Sequence, residues 1–185
     1  TPKTMNKHFY KLIIPASVGI AAILIYSSCG VRIPRGAQAV KNFDLEKYLG
    51  KWYEIARLDY RFEKHLEQNT AEYTLKENGA VKVYNKGYHT LKQEWRSATG
   101  EARPVDDPAT GRLKVSFFKP FWSGYNVIDI DENYRYALVA GKNLKYLWIL
   151  SRDTTIPDSY KNRFLQKAKQ LGYDTDALIW VRQPE

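Results

Sequence analysis

The chain has 185 residues, which favours a single domain with one sizeable core. With 14 Tyr, 5 Trp and 7 Phe, its composition favours strands. The formal net charge is +9, but acidic and basic residues alternate through the body, so the sequence lacks the basic stripe of a nucleic-acid-binding domain. Its single cysteine, Cys29, excludes an intramolecular disulfide and a thiolate metal site within the body.

The first 28 residues are organised like a targeting segment. Lys7 and Lys11 form a positive region before an apolar stretch of 15 residues at 12–26, which is shorter than the roughly 20 residues needed to span a bilayer and fits a signal peptide. Two serines then precede Cys29, and this resembles the processing site of bacterial lipoproteins. We predict a lipoprotein signal peptide at 1–28, acylation of Cys29, and a lipidated tether at 29–40. An ordinary signal peptide with an incidental cysteine is the alternative.

Eight segments with the period of β-strands follow. Gly50 permits a tight turn into the first of them, and Asn78-Gly79, between the second and third, is a strong hairpin signal. The predicted strands are 50–59, 69–76, 80–88, 94–103, 112–118, 125–131, 135–141 and 146–152, and we read 119–124 as a loop. The connections between successive strands are short, which favours an up-and-down meander, and closure into a barrel removes its exposed edges.

The period changes to that of a helix after the eighth strand. Tyr160, Phe164 and Ala168 recur at helical spacing, with Pro157 in the first turn and Gly172 just past the end. We predict a helix at about 157–172 that packs on the outside of the barrel. A short ninth strand at 178–181 is expected to pair beside the first.

Two motifs resemble those of the lipocalins: Gly50-Lys51-Trp52 at the start of the first strand, and Ser151-Arg152 at the end of the eighth. The resemblance covers 40–184, and we assign 41–185 to the barrel. It implies an all-β fold with one C-terminal α-helix, namely an eight-stranded antiparallel up-and-down β-barrel. Gly50, Trp52 and Arg152 are expected to have structural roles, with the Arg152 guanidinium lying over the Trp52 indole.

Residues 115–128 and 146–152 are most similar to the bacterial outer-membrane lipocalins, which are lipoproteins related to apolipoprotein D. The resemblance implies a partner that is a fatty acid or a lysophospholipid, and a role in lipid storage, transport or membrane repair under stress. It also implies an N-terminal acyl anchor in the outer membrane, where Gly30 in place of Asp directs sorting, and a barrel that faces the periplasm. Homodimers occur in the family. We predict no cofactor, no metal and no nucleic-acid partner.

The alternation of side chains along each strand predicts which residues line the interior. With Trp52 inward, Glu54 and Ala56 face the interior too, and an inward carboxylate requires a partner, for which Arg96 or Arg152 is suitable. In the sixth strand, either Tyr125 or Asn126 faces inward. The predicted ligand-binding residues are Glu54, Ala56, Tyr73, Val83, Asn85, Val115, Phe117, Trp122, Tyr125, Asn126, Tyr146 and Trp148.

An acyl chain is expected to lie against Val115, Phe117 and Trp148, with its head group near the mouth by Trp122 and Tyr60. This mixture of apolar, aromatic and a few polar side chains is typical of a small-molecule site. Two alternatives remain. A structural or partner-binding lipoprotein would have the same residues filling a solid core. An enzyme is disfavoured, because the predicted barrel has no cysteine and no histidine pair at metal-binding spacing.

Overall fold

The computed structural model describes residues 31–61 and 63–184. The predicted signal peptide and Cys29 lie outside these residues. The elements are α1 (Leu45–Tyr48), β1 (Gly50–Leu58), β2 (Leu66–Leu75), β3 (Val81–His89), β4 (Glu94–Pro104), β5 (Arg112–Phe118), β6 (Phe121–Ile130), β7 (Tyr136–Ala140), β8 (Leu147–Ser151), α2 (Asp158–Gln170) and β9 (Leu178–Trp180).

The strands form one antiparallel sheet that closes on itself. Its order is β2-β3-β4-β5-β6-β7-β8-β1-β9, and β1 also pairs with β2. The predicted eight-stranded up-and-down barrel with a C-terminal helix is therefore confirmed. The loop predicted at 119–124 is wrong, because β6 begins at Phe121 and only Lys119 and Pro120 connect it to β5.

The two ends of the barrel differ. α1 lies at one end with the β2–β3, β4–β5 and β6–β7 connections, and we call this the closed end. The β1–β2, β3–β4, β5–β6 and β7–β8 connections form the other end, which we call the mouth. Asp44 caps α1 by accepting hydrogen bonds from the backbone N–H groups of Glu46 and Lys47, so the helix begins at a fixed point beside β1.

The hydrophobic core has an inner and an outer part. The inner part lies inside the barrel and includes Trp52, Tyr73 and Leu150. The outer part lies between the barrel and α2, where Phe164 and Ala168 are completely buried. Salt bridges reinforce this contact, since the buried carboxylate of Asp129 accepts from Lys167 at 3.0 Å and from Arg163. No helix in the described part of the chain is long and apolar enough to cross a membrane.

The N-terminal segment crosses the outside of β6. Val40 donates a backbone hydrogen bond to Val127, and farther toward the N-terminus the Arg32 carbonyl accepts one from the Asn126 side chain at 3.1 Å. Gly124 lies under the same carbonyl, and a Cβ added there would stand 2.2 Å from the Arg32 oxygen. Gly124 is therefore needed for close approach of this segment, which is why a glycine lies within a strand.

Gly124→Ala is expected to lift the N-terminal segment from β6 without opening the barrel, because the added methyl group collides with backbone. Limited trypsin digestion should then cleave after Arg32 and Arg35 several-fold faster, while the free energy of unfolding changes by about 1 kcal/mol or less. Ser123→Ala, on the opposite face of β6, is the matched control and should leave digestion unchanged. Equal digestion of wild type and Gly124→Ala would contradict the prediction.

Candidate ligand-binding site

The floor of the interior is an arginine–indole contact at the closed end. The Arg152 guanidinium lies 3.8 Å from the Trp52 ring centroid, and the Trp52 N–H donates to the Tyr48 carbonyl at 2.8 Å. Arg152 also donates to four backbone carbonyls, those of Lys47, Leu49, Lys51 and Tyr134. Gly50 has φ 88°, and a Cβ there would stand 3.4 Å from the Arg152 guanidinium. The motif residues thus join α1, β1 and the β6–β7 connection around one cation.

Three tyrosine hydroxyls lie above this floor. The Tyr125 hydroxyl is 2.6 Å from that of Tyr48 and 2.8 Å from that of Tyr73. Burial raises the pKa of all three, so each remains a neutral hydroxyl at physiological pH. This layer of tyrosines above the floor is therefore polar but uncharged.

Small side chains line one wall above the floor. Ala71, Asn85 and Ala98 are directly paired across β2, β3 and β4, so they share the inward face, and Gly100 follows on β4. Ala98 remains exposed although it faces the barrel axis. Among the described residues, the buried Asn85 Oδ1 has no hydrogen-bond donor. This wall leaves room inside the upper half of the barrel.

Larger apolar side chains form the facing wall. Val115, Phe117 and Trp148 pack against the inner core but are only half-buried. The Phe117 ring fits over Gly100, where an added Cβ would stand 2.8 Å from it. These side chains keep solvent-accessible area although they face inward, so the upper interior can be reached from outside.

A buried group of charges lies on β1 between the floor and the mouth. The Arg57 guanidinium donates to the Glu54 carboxylate at 2.8 Å and to the Glu63 and Leu66 carbonyls at 2.7 and 3.0 Å. The Glu63 carboxylate accepts from the Trp148 indole at 3.1 Å. Arg57 therefore holds the β1–β2 connection over the interior, with Glu63 reaching in to Trp148.

Burial is the main cause of the altered titration of these carboxyls. Desolvation and the neighbouring Glu63 raise the pKa of Glu54 to about 8, against the opposing effect of Arg57. Desolvation also raises the pKa of Glu63. The single Arg57 cation cannot neutralise two buried carboxylates. The Glu54–Glu63 pair therefore tends to retain a proton at neutral pH.

The structure brings most of the predicted ligand-binding residues together. Those that face the interior or its entrance are Glu54, Tyr73, Val83, Asn85, Val115, Phe117, Tyr125, Tyr146 and Trp148. Tyr146 stands at the mouth, between the rings of Tyr60 and Trp148. The contribution of each to binding stays a prediction.

Three predicted positions point elsewhere. Ala56 lies in the outer core, because a β-bulge between Glu54 and Ala56 reverses the alternation of β1. Asn126 is wrong as a lining residue, since its amide donates outward to the carbonyls of Arg32, Ala140 and Gly141. Trp122 lies on the outer face between Lys114 and Arg103, whose cations are 5.2 and 5.9 Å from its ring centroid.

Sequence reasoning missed Arg57 and Glu63. The expected partners of Glu54 were Arg96 and Arg152, but the bulge turns Arg57 inward instead. Glu63 belongs to a connection whose path no periodicity predicts. The only sequence signal for the ion pair was the basic residue that stands three positions after the inward Glu54.

Comparison with known proteins places this barrel in a family. The family model described as a lipocalin-like domain matches residues 43–183. The chain is a lipocalin. It is 46% identical over 173 residues to outer membrane lipoprotein Blc of Citrobacter freundii, covering 93% of this chain and 98% of that protein. The Blc protein of Vibrio cholerae is 44% identical over 165 residues, covering 89% and 95%.

More distant lipocalins also match. Bovine apolipoprotein D is 38% identical over 133 residues, covering 63% of this chain and 65% of that protein. The structure of insecticyanin from Manduca sexta superposes with a TM-score of 0.68 at 20% identity, covering 83% of this chain and 88% of that one. At this identity the superposition supports the fold alone.

Proposed function

We propose that this lipocalin binds lipids with one long acyl chain, fatty acids or lysophospholipids, in the upper half of its barrel. The observation that carries the proposal is the inward wall of half-buried Val115, Phe117 and Trp148 opposite the small residues Ala71 and Ala98. The sealed floor below gives the acyl chain a closed end, and the mouth gives it an entrance. A concave, mostly apolar site with a few polar groups is typical of small-molecule binding.

Apolar burial is sufficient for useful affinity. Each buried methylene contributes about 0.8 kcal/mol, so about ten supply the roughly 8 kcal/mol of a micromolar complex before the cost of association is subtracted. Recognition of a particular head group is not required for this.

The charges of the interior favour a head group at the mouth. Arg57 is already paired with Glu54 and lies 4.0 Å from Glu63, so an acidic head group beside it would meet two carboxyls. A head group at the mouth stays hydrated and meets Tyr60 and Tyr146. We infer weak selectivity among head groups.

The relatives support a proposal for the cellular role. Four matched proteins carry the name outer membrane lipoprotein, and they align over nearly their whole length. We propose that Cys29 bears the acyl anchor, that the protein is held in the outer membrane with its barrel in the periplasm, and that it stores or transports lipids for membrane maintenance under stress.

Ala98→Trp tests the site by filling it. An indole at this inward position occupies the space beside Asn85, and we expect the affinity for lysophosphatidylcholine and palmitate to fall at least about tenfold, which corresponds to 1.4 kcal/mol. Native mass spectrometry of the chain starting at Gly30, titrated with each lipid, measures the one-to-one complex.

Thr99→Trp is the matched control. Thr99 is the next residue of β4 and points outward, so the same indole there should leave lipid binding unchanged. Equal binding by Ala98→Trp and wild type would contradict the site. If the wild-type chain forms no complex in the micromolar range, the barrel is filled and the protein is a structural or partner-binding lipoprotein.

A further inference from the structure

Exposed apolar side chains are concentrated at the mouth. Eight large hydrophobic residues are exposed in the described part of the chain, and five of them lie at this end: Leu91, Trp95, Phe118, Phe121 and Leu144. Phe118 and Phe121 are both 75% exposed and flank the β5–β6 turn, so this hairpin ends in two bare phenyl rings. We call these five residues the mouth rim. Exposed apolar groups that cluster in this way mark an interaction surface.

Charged residues are also distributed unequally between the two ends of the barrel. The β3–β4, β5–β6 and β7–β8 connections carry Lys92, Lys119, Lys142 and Lys145 and no acidic residue. The closed-end connections carry Glu77, Asp106, Asp107, Asp131 and Glu132 against Lys76 and Arg135. The β1–β2 connection is balanced, with two acidic and two basic residues. The mouth is therefore basic and apolar, whereas the closed end is acidic.

The composition of the rim fits the surface of a lipid bilayer. The Lys86 ammonium lies 4.3 Å from the ring centroid of Trp95, which joins an amphipathic ring to a cation at the edge of the mouth. Trp with Lys is typical of membrane interfaces, where the ring lies at head-group level and the cation meets lipid phosphates. Lysines near an anionic surface add attraction that salt weakens.

The N-terminal segment leads to the same end. Val40 bonds to Val127, whereas Arg32 lies against Gly124, closer to the mouth end of β6. The Arg32 carbonyl shares the Asn126 amide with that of Gly141, which directly follows β7. The described part of this segment therefore runs toward the mouth as it approaches its N-terminal end.

We propose that the mouth rim docks on an anionic lipid bilayer, with the phenyl rings of the β5–β6 hairpin in the interface and the lysines against phosphate groups. The barrel then stands mouth-down on the membrane. This surface acts whether or not a lipid occupies the interior, so the inference does not depend on the proposed ligand.

Co-sedimentation with vesicles tests the docking. The chain starting at Gly30 is suitable, because it lacks Cys29 but retains both core clusters, whose members lie between Ile33 and Leu178. We expect binding to phosphatidylcholine vesicles that strengthens when phosphatidylglycerol is added and weakens with salt. The double variant Phe118→Ser/Phe121→Ser should bind at least about tenfold more weakly, because two largely exposed rings no longer enter the interface.

Leu75→Ser is the matched control. Leu75 is 45% exposed at the closed end and should not contribute to docking. Ala98→Trp should bind vesicles like wild type, which separates docking from uptake of lipid into the barrel. Equal vesicle binding by wild type and the double variant overturns the proposal. If the double variant instead dissociates a dimer in analytical ultracentrifugation and binds vesicles normally, the rim is an interface between two copies and the membrane proposal is wrong.

Discussion

Replacing Arg57 with Met is expected to lower the free energy of unfolding by about 3–5 kcal/mol at pH 9, where Glu54 of the wild type is ionised, the cost of removing one partner of a buried ion pair. The Arg57 side chain is 2% exposed and that of Glu54 is 9% exposed, so water cannot replace the lost cation. The variant also removes the donor to the Glu63 and Leu66 carbonyls and thereby loosens the β1–β2 connection.

The penalty should depend on pH. In the wild type, burial raises the pKa of Glu54 from 4.5 to about 8, so the folded state retains a proton that the unfolded state releases. The stability that this group contributes is complete below pH 4.5 and is lost as the pH rises to about 8. Without Arg57 the pKa rises further. At pH 5 the carboxyl is neutral and the variant loses only hydrogen bonds, a cost of about 1–3 kcal/mol.

Urea unfolding of wild type and Arg57→Met at pH 5 and pH 9 measures the difference. The double variant Arg57→Met/Glu54→Gln is the control, because it removes the cation together with the carboxylate it neutralises and should recover much of the loss at pH 9. A penalty that is the same at both pH values, or no recovery in the double variant, would show that the lost contacts of Arg57 are steric rather than electrostatic.

This cluster also marks the limit of what the sequence predicts. The period-2 rule places Glu54 inward correctly and then fails at Ala56, because one extra residue between Glu54 and Ala56 reverses every later position of β1. The local composition of β1 contains no signal that predicts the bulge. The rule works on β3 and β4, whose pairing contains no irregularity, so Val83 and Asn85 face inward as predicted.

The remaining errors come from contacts between distant segments. Gly124 and Pro120 suggested a loop, but Gly124 lies within β6 because the N-terminal segment passes directly over it. Trp122 suggested a mouth residue, but it packs outside between cations from β4 and β5. The barrel itself was predictable because the hairpin signals, the period-2 alternation of side chains and the two motifs all indicate the same fold.

Arg152→Ala is expected to lower the free energy of unfolding by about 3–5 kcal/mol, from lost charge-assisted hydrogen bonds and the cation–π contact with Trp52. Arg152 donates to four carbonyls on α1, β1 and the β6–β7 connection, and the fully buried Trp52 ring lies beneath it. Water can replace the donors at the exposed carbonyls of Lys47 and Lys51, but less well at those of Leu49 and Tyr134. Denaturant unfolding at constant pH measures the loss.

Two further variants separate geometry from charge. Arg152→Lys keeps the charge but cannot reach four carbonyls from one ammonium group, so it should recover less than half of the loss. Arg135→Ala is the matched control at the same end of the barrel, where a surface ion pair with Asp153 contributes about 0–1 kcal/mol. If Arg152→Lys were as stable as wild type, a positive charge near Trp52 would suffice. A loss in Arg152→Lys close to that in Arg152→Ala would mean that the planar guanidinium, in contact with the indole and the surrounding carbonyls together, closes this end of the barrel.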